Sequence, residues 1–140
     1  MKRILSMFLV LCMVMTMLSI PVAFASEEGV IVEGTGYTYD RGEKKELTIT
    51  SNAGATYSSG WRDDTVYTIG SENVTINILE EVKSIIIGDG VTQIGENVIY
   101  SIPNLPSVYL GKNVAQVAPV NFSVFISCPS LESVTVDNLF

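Results

Sequence analysis

Histidine is missing from this 140-residue chain altogether. With it go the commonest general base and the commonest metal ligand. Cysteine is nearly missing: Cys12 and Cys128 are the two in the chain. Basic residues are scarce as well, 8 Lys and Arg against 15 Asp and Glu. An acidic chain is poorly suited to nucleic acid, whose phosphates demand a basic surface, and to anionic membrane for the same reason. Helical periodicity is the last absence. Beyond residue 26 the apolar residues recur at every second position, the spacing of strands.

What is present begins with an export signal. Lys2 and Arg3 precede an almost continuous apolar run from Ile4 to Ile20, which Pro21 breaks. Ala23-Phe24-Ala25 then puts small residues at the two positions a signal peptidase reads. Residues 1–25 are read as a signal peptide, cut between Ala25 and Ser26, and the protein as secreted, with cell-surface association left open. A retained anchor is the alternative, since a run of this length nearly spans a bilayer. The small-x-small site and the acidic Ser26-Glu27-Glu28 favour removal. Lipid attachment at Cys12 is disfavoured by the bulk of Leu11 before it. Cleavage leaves 6 basic against 15 acidic residues, a net charge near −9. It also leaves Cys128 alone, so no internal disulfide forms. Two readings of that thiol stand, a reactive group and a small buried hydrophobe before Pro129.

Residues 26–81 read as a strand-rich leader. Tyr37 and Tyr39 alternate around Thr38, and Leu47 and Ile49 around Thr48. With turn residues from Asp40 to Lys44 between them, 36–40 and 45–51 form a hairpin, Gly42 being the residue free to take positive φ. Asn52 to Asp64 is loose until Trp61, the single tryptophan, which either plugs the end of a core or serves as a ligand platform. Thr65–Ile69 and Val74–Ile78 are two more alternating strands. Asn73 and Asn121 each begin a glycosylation acceptor pattern, a short signal that recurs by chance.

From Val82 one pattern is written nearly three times, as Val82-Lys-Ser-Ile-Ile-Ile-Gly-Asp-Gly-Val-Thr-Gln-Ile-Gly, Leu105-Pro-Ser-Val-Tyr-Leu-Gly-Lys-Asn-Val-Ala-Gln-Val-Ala and Leu131-Glu-Ser-Val-Thr-Val-Asp. Alternation puts Ile85 and Ile87 on an inner face, and with them Val108 and Leu110, then Val134 and Val136. Ile86, Tyr109 and Thr135 then stack on the outer face. A glycine turn follows the strand in the first two copies and leads to a second apolar step, Val91 and Ile94, then Val114 and Val117. Pro103 and Pro129 close the copies. Self-similarity at such a period is the mark of a solenoid, in which one copy cannot offset its own ordering entropy and stability comes from neighbours.

Ile85-x-Ile87-Gly-x-Gly-Val91-Thr-x-Ile94-Gly95, followed by Pro103-x-Leu105, resembles the BspA-like class of bacterial leucine-rich repeats. Cys128-Pro-Ser-Leu131-x-Ser-Val134-x-Val136 matches the same repeat a second time. The resemblance covers residues 82–140 and implies a mostly β fold, a short repeat solenoid behind the leader, in an exported protein of adhesion. The chain departs from the family at Val98-Ile99, where the family carries Ala-Phe. The second copy also runs about three residues long, so Phe122 or Phe125 is available for that corner. The repeat breaks off at Asn138-Leu-Phe140 with no polar cap.

The function these features point to is a non-enzymatic interaction module that binds an extracellular protein through Ile86, Tyr109 and Thr135. Two alternatives remain: a carbohydrate-binding module using Trp61 and surface tyrosines, and a truncated repeat protein without a role of its own. A hydrolase is disfavoured. Asp63-Asp64 and Glu80-Glu81 supply carboxylates, but neighbours on a strand point to opposite faces and do not converge on one bond. No cofactor, metal or catalytic residue is assigned. Partners are an extracellular protein or glycan, without nucleic acid or a membrane span in the mature chain, and with self-association through the uncapped C-terminal end as a further option.

Overall fold

A computed structural model describes residues 31–69, 71–117 and 124–137. The expected signal peptide with its Ala25/Ser26 cleavage site, and also Asn121 and Phe122, lie outside the described residues. The fold is mostly β. Its centre is a six-stranded mixed sheet in which β1 (Ile31–Gly34), β2 (Tyr37–Asp40) and β3 (Glu46–Ile49) are joined antiparallel. Three parallel strands then extend it: β6 (Ser84–Ile87), β9 (Ser107–Leu110) and β12 (Ser133–Val136). Between β3 and β6 the chain makes a 3-10 turn at Gly60–Arg62, a separate hairpin of β4 (Thr65–Ile69) and β5 (Glu72–Ile76), and one helical turn, α1 (Ile78–Glu81).

The repeat copies pair with one another at equivalent positions. Besides β6 with β9 and β9 with β12, β7 (Gln93–Ile94) runs parallel to β10 (Gln116–Val117). β8 (Ile99–Tyr100) runs parallel to β11 (Phe125–Ile126) in the same way. Side chains reinforce these ladders by binding carbonyls of the preceding copy. Asn104 Nδ2 donates to the Glu80 carbonyl at 3.0 Å, and Ser130 Oγ, at the equivalent position, donates to the Pro103 carbonyl at 2.7 Å. Asn113 Nδ2 reaches the Asp89 carbonyl at 2.8 Å. Ser101 and Ser127, also equivalent, both carry positive φ, 57° and 55°.

The core lies under one face of the large sheet. Period-two alternation sends Tyr37, Tyr39, Leu47, Ile49, Ile85, Ile87, Val108 and Leu110 inward, and all are buried. Val91, Ile94, Val98, Ile99, Ile102 and Leu105 close the core from the other sides of the repeat. Val98 and Ile99, the residues expected to leave a gap at the turn before Ser101, are both fully buried in this core. In the next copy Phe125 pairs with Ile99 and packs against the core.

Several expectations are corrected. The positive φ in the β2–β3 turn belongs to Lys45, at 46°, and not to Gly42. The Asp40 carboxylate accepts the Gly42 N–H at 2.9 Å, and the Lys45 N–H returns to the Gly42 carbonyl at 3.2 Å, so the reversal falls on the lysine. The strand expected over Val74–Ile78 stops at Ile76. The Asn77 side chain accepts the Glu80 N–H and caps a helical turn, which buries Ile78 and carries Glu80-Glu81 out of strand geometry. Val134 and Val136 continue the inner rows in register with Val108 and Leu110, yet they are 41% and 38% exposed. No described strand lies beyond β12 to cover them. Val117 of the second apolar step is likewise 43% exposed.

Strands on both sides of the expected boundary between residues 81 and 82 share the large sheet. Leu47 pairs with Ile85 and Ile49 with Ile87, in parallel and in the same register that joins the later copies. Asn52 takes the place of a turn glycine: its Oδ1 accepts the Thr92 N–H at 2.8 Å and the Gln93 N–H at 3.2 Å. Gly90 meanwhile lies so close to the Thr50 carbonyl that a Cβ has no room there.

A charged clasp holds the β2–β3 hairpin to α1. Arg41 Nε and Nη2 donate to the two Glu81 carboxylate oxygens, each at 3.1 Å, in a fork that suits guanidinium and carboxylate. The Tyr39 hydroxyl donates to Glu81 Oε2 at 3.3 Å. Burial first, and the Glu81 charge next, push the Tyr39 phenol well above its ordinary range. Because the folded value is raised, the contribution is intact below the unfolded value of about 10 and is lost as pH climbs toward the folded one. Urea midpoints should therefore fall more steeply above about pH 10 in the parent than in Tyr39→Phe. At neutral pH the variant should lose about 0.5–1.5 kcal/mol, the worth of one hydrogen bond. Parallel alkaline profiles in the two proteins would contradict this.

Candidate functional site

The outward-facing side chains of the six strands fall into two rows. Register places Glu33, Thr38, Thr48, Ile86, Tyr109 and Thr135 side by side in one. Ile31, Asp40, Glu46, Ser84, Ser107 and Ser133 form the other. The three residues expected on the outer face, Ile86, Tyr109 and Thr135, are therefore direct neighbours. Ile86 and Tyr109 are half-buried and Thr135 is exposed. Ile86 against Tyr109 makes an apolar pair flanked by hydroxyls, with acidic groups at Glu33, Asp40, Glu46 and Asp137. A hydrogen bond to Asp137 pushes the Tyr109 phenol upward, so the ring stays neutral and its hydroxyl is held toward β12. Asp89 and Lys112 form an exposed pair at 3.0 Å beside it, a geometry that contributes little stability.

Thr38 and Thr48 belong to this face although the repeat pattern starts only at Val82. The signal that reveals them is the match of Leu47-Thr-Ile to Ile85-Ile-Ile, which carries Thr48 onto Ile86. Cross-strand hydroxyl and aromatic–β-branched pairs of this kind are units of sheet stability as well as surface.

Other candidates lie elsewhere. Trp61 is fully buried, and its indole N–H donates to the Gly54 carbonyl at 2.8 Å. A sugar ring has no access to it, which removes the central residue of the carbohydrate reading. Its neighbour Arg62 binds the Val98 carbonyl at 2.6 Å through Nη1 and the Tyr100 carbonyl at 3.0 Å through Nη2. The guanidinium lies 4.8 Å from the centroid of the Tyr57 ring and 5.3 Å from that of Trp61. Arg62 thus fastens the loop after β3 to the corner of the repeat, a role that residue type alone does not signal. Asp63 and Asp64 are exposed beside it. Cys128 is half-buried against the core, with Sγ 3.6 Å from the Ile99 carbonyl and 3.5 Å from that of Ile126. Asn73 is exposed on β5.

Among the described residues no three His, Cys, Asp or Glu side chains gather into a group able to hold a metal ion. No helix among them is long and apolar enough to cross a membrane. Comparison of the chain with family models, with curated proteins and with solved structures finds no match in any of the three.

Proposed function

We propose that this protein is a secreted or cell-surface interaction module of the BspA-like leucine-rich-repeat kind, which binds a protein partner through the outer face of its large sheet. The observation that carries the reading is the register: Ile86, Tyr109 and Thr135, drawn from three successive copies, lie on adjacent parallel strands. Four parallel ladders between equivalent segments support the solenoid part of the proposal. A half-buried aromatic next to an aliphatic, ringed by hydroxyls, is the composition of an interface anchor with its polar rim. The acidic groups around it select a partner with a basic or neutral contact surface.

Capture from the protein's own extracellular surroundings, followed by mass spectrometry, identifies the partner. Tyr109→Ala together with Ile86→Ser should then weaken binding of that partner at least about tenfold, the size of a modest hot spot. Stability should fall only by about 0.2–1 kcal/mol, the worth of one cross-strand pair, because both side chains point away from the core. Binding unchanged by the double variant sinks the face assignment.

A further inference from the structure

One edge of the large sheet carries its own recognition pattern. The Ser133 N–H bonds to the Pro106 carbonyl at 3.2 Å and the Asp137 N–H to the Leu110 carbonyl at 3.0 Å. Backbone groups alternate sides along a strand, so Thr135 also faces β9, while Val134 and Val136 turn their N–H and C=O groups to the far side, where no described strand lies. The same two valines are the exposed members of the inner rows. Edge strands are normally guarded by lysine, proline or a bulge. Ser133-Val134-Thr135-Val136 has no charge and no proline, and three of its four residues are β-branched formers of strands.

The triplet Val134-Thr135-Val136 reads the same in both directions. We propose that β12 pairs with β12 of a second copy of this chain, antiparallel, about a two-fold axis normal to the sheet through Thr135. Val134 of one copy then lies opposite Val136 of the other. Both valines have outward backbone groups, so the four N–H groups and four C=O groups at the two edges form four hydrogen bonds. Thr135 faces Thr135 as a non-hydrogen-bonded pair, which matches its backbone being already engaged by β9. With the axis normal to the sheet, both cores lie on the same side, and the four valines cover one another. An axis between two residues sets valine against threonine and turns one core to the wrong face. An axis through either valine leaves the other without its match. The interface is isologous and closes at two copies.

Charge opposes the pairing and gives it a signature. Both copies are acidic, and Glu132 and Asp137 flank the strand, so screening by salt should strengthen association.

Cysteine trapping tests the register in the whole chain, exported so that any processing takes place, with Cys12 and Cys128 replaced by serine. Cα atoms of a non-hydrogen-bonded antiparallel pair stand about 4.5 Å apart, within the span of a disulfide. Thr135→Cys should therefore oxidise to a covalent dimer at least about tenfold faster than Val134→Cys or Val136→Cys, whose mates are not themselves. Sedimentation should show a monomer–dimer equilibrium that tightens with salt. Val134→Pro removes one outward N–H per copy without touching the internal ladder, and should raise the dissociation constant about tenfold or more. Val136→Lys keeps that N–H, places a charge on the inner row and should do the same, so a folding defect in one variant does not decide the matter. Equal trapping at the three positions, a monomer at every concentration, or growth beyond the dimer overturns the proposal.

Discussion

Replacing Trp61 by alanine should lower the free energy of unfolding by about 3–5 kcal/mol, the range for removing a large buried aromatic. For a domain whose whole stability is about 5–15 kcal/mol, that is a large part of what holds it folded. The indole is fully buried, and the 3-10 turn that carries it packs against α1. It hydrogen-bonds the Gly54 carbonyl and supports the Arg62 guanidinium over its ring. Truncation therefore opens a cavity, orphans a buried carbonyl and releases the side chain that fastens Val98 and Tyr100. Trp61→Phe separates these effects. It keeps most of the volume and should cost about 1–3 kcal/mol, the penalty of an unsatisfied buried acceptor with a smaller packing loss. Urea unfolding followed by circular dichroism gives both values, with unchanged slope indicating a pure stability change. A Trp61→Ala protein as stable as the parent would return the residue to the role of a surface platform.

The alternation of residues 37–49, 85–87 and 108–110 was legible because period two is written plainly there, and each strand has a neighbour that converts pattern into burial. At Val134 and Val136 it gave the face, which the register bears out, but not the burial, which needs a next strand. The outer row was readable for the same reason as the inner one, and the position of Tyr109 follows from that of Leu110. Turn chemistry was less legible. Gly42 has the freedom for positive φ, but its N–H donating to Asp40 and its carbonyl accepting from Lys45 decide where the reversal falls. The helical turn at Ile78 was hidden because Val74-Thr-Ile-Asn-Ile alternates throughout, and only the capping geometry of Asn77 ends the strand.

The least legible feature was where the stacked part begins. The repeat signature rests on glycine turns and closing prolines, and the segment from β3 to α1 has no proline and no glycine at the matching positions 50–52. It carries Thr50-Ser51-Asn52 where the next copy has Gly88-Asp89-Gly90, and the Asn52 side chain supplies the contacts to Thr92 and Gln93. A hairpin, β4–β5, is inserted before the segment ends at α1. Spacing alone therefore hides a parallel strand pairing that the register of β3 with β6 makes plain.

That difference has a large consequence for a fragment. Residues 82–140, the span with the visible repeats, should not fold when separated from the leader. In the whole chain β6 forms one parallel ladder with β9 and another with β3, and Ile85 and Ile87 are sealed by Leu47 and Ile49. Cutting before Val82 removes that ladder and exposes the inner rows. It also removes Trp61, Ile76 and Ile78, which form part of the same core, and the Arg62 guanidinium that satisfies two carbonyls of the corner. Parallel strands of this sheet draw their stability from neighbours on both sides, and in the fragment β6 keeps β9 but loses β3. Circular dichroism of the fragment should show an unfolded chain with no cooperative thermal transition, while residues 26–140 unfold cooperatively. Adding residues 46–81 back should restore the transition, since they supply β3, Trp61 and α1 without β1 or β2. A fragment of residues 82–140 that melts cooperatively on its own would place the structural boundary at Val82 after all.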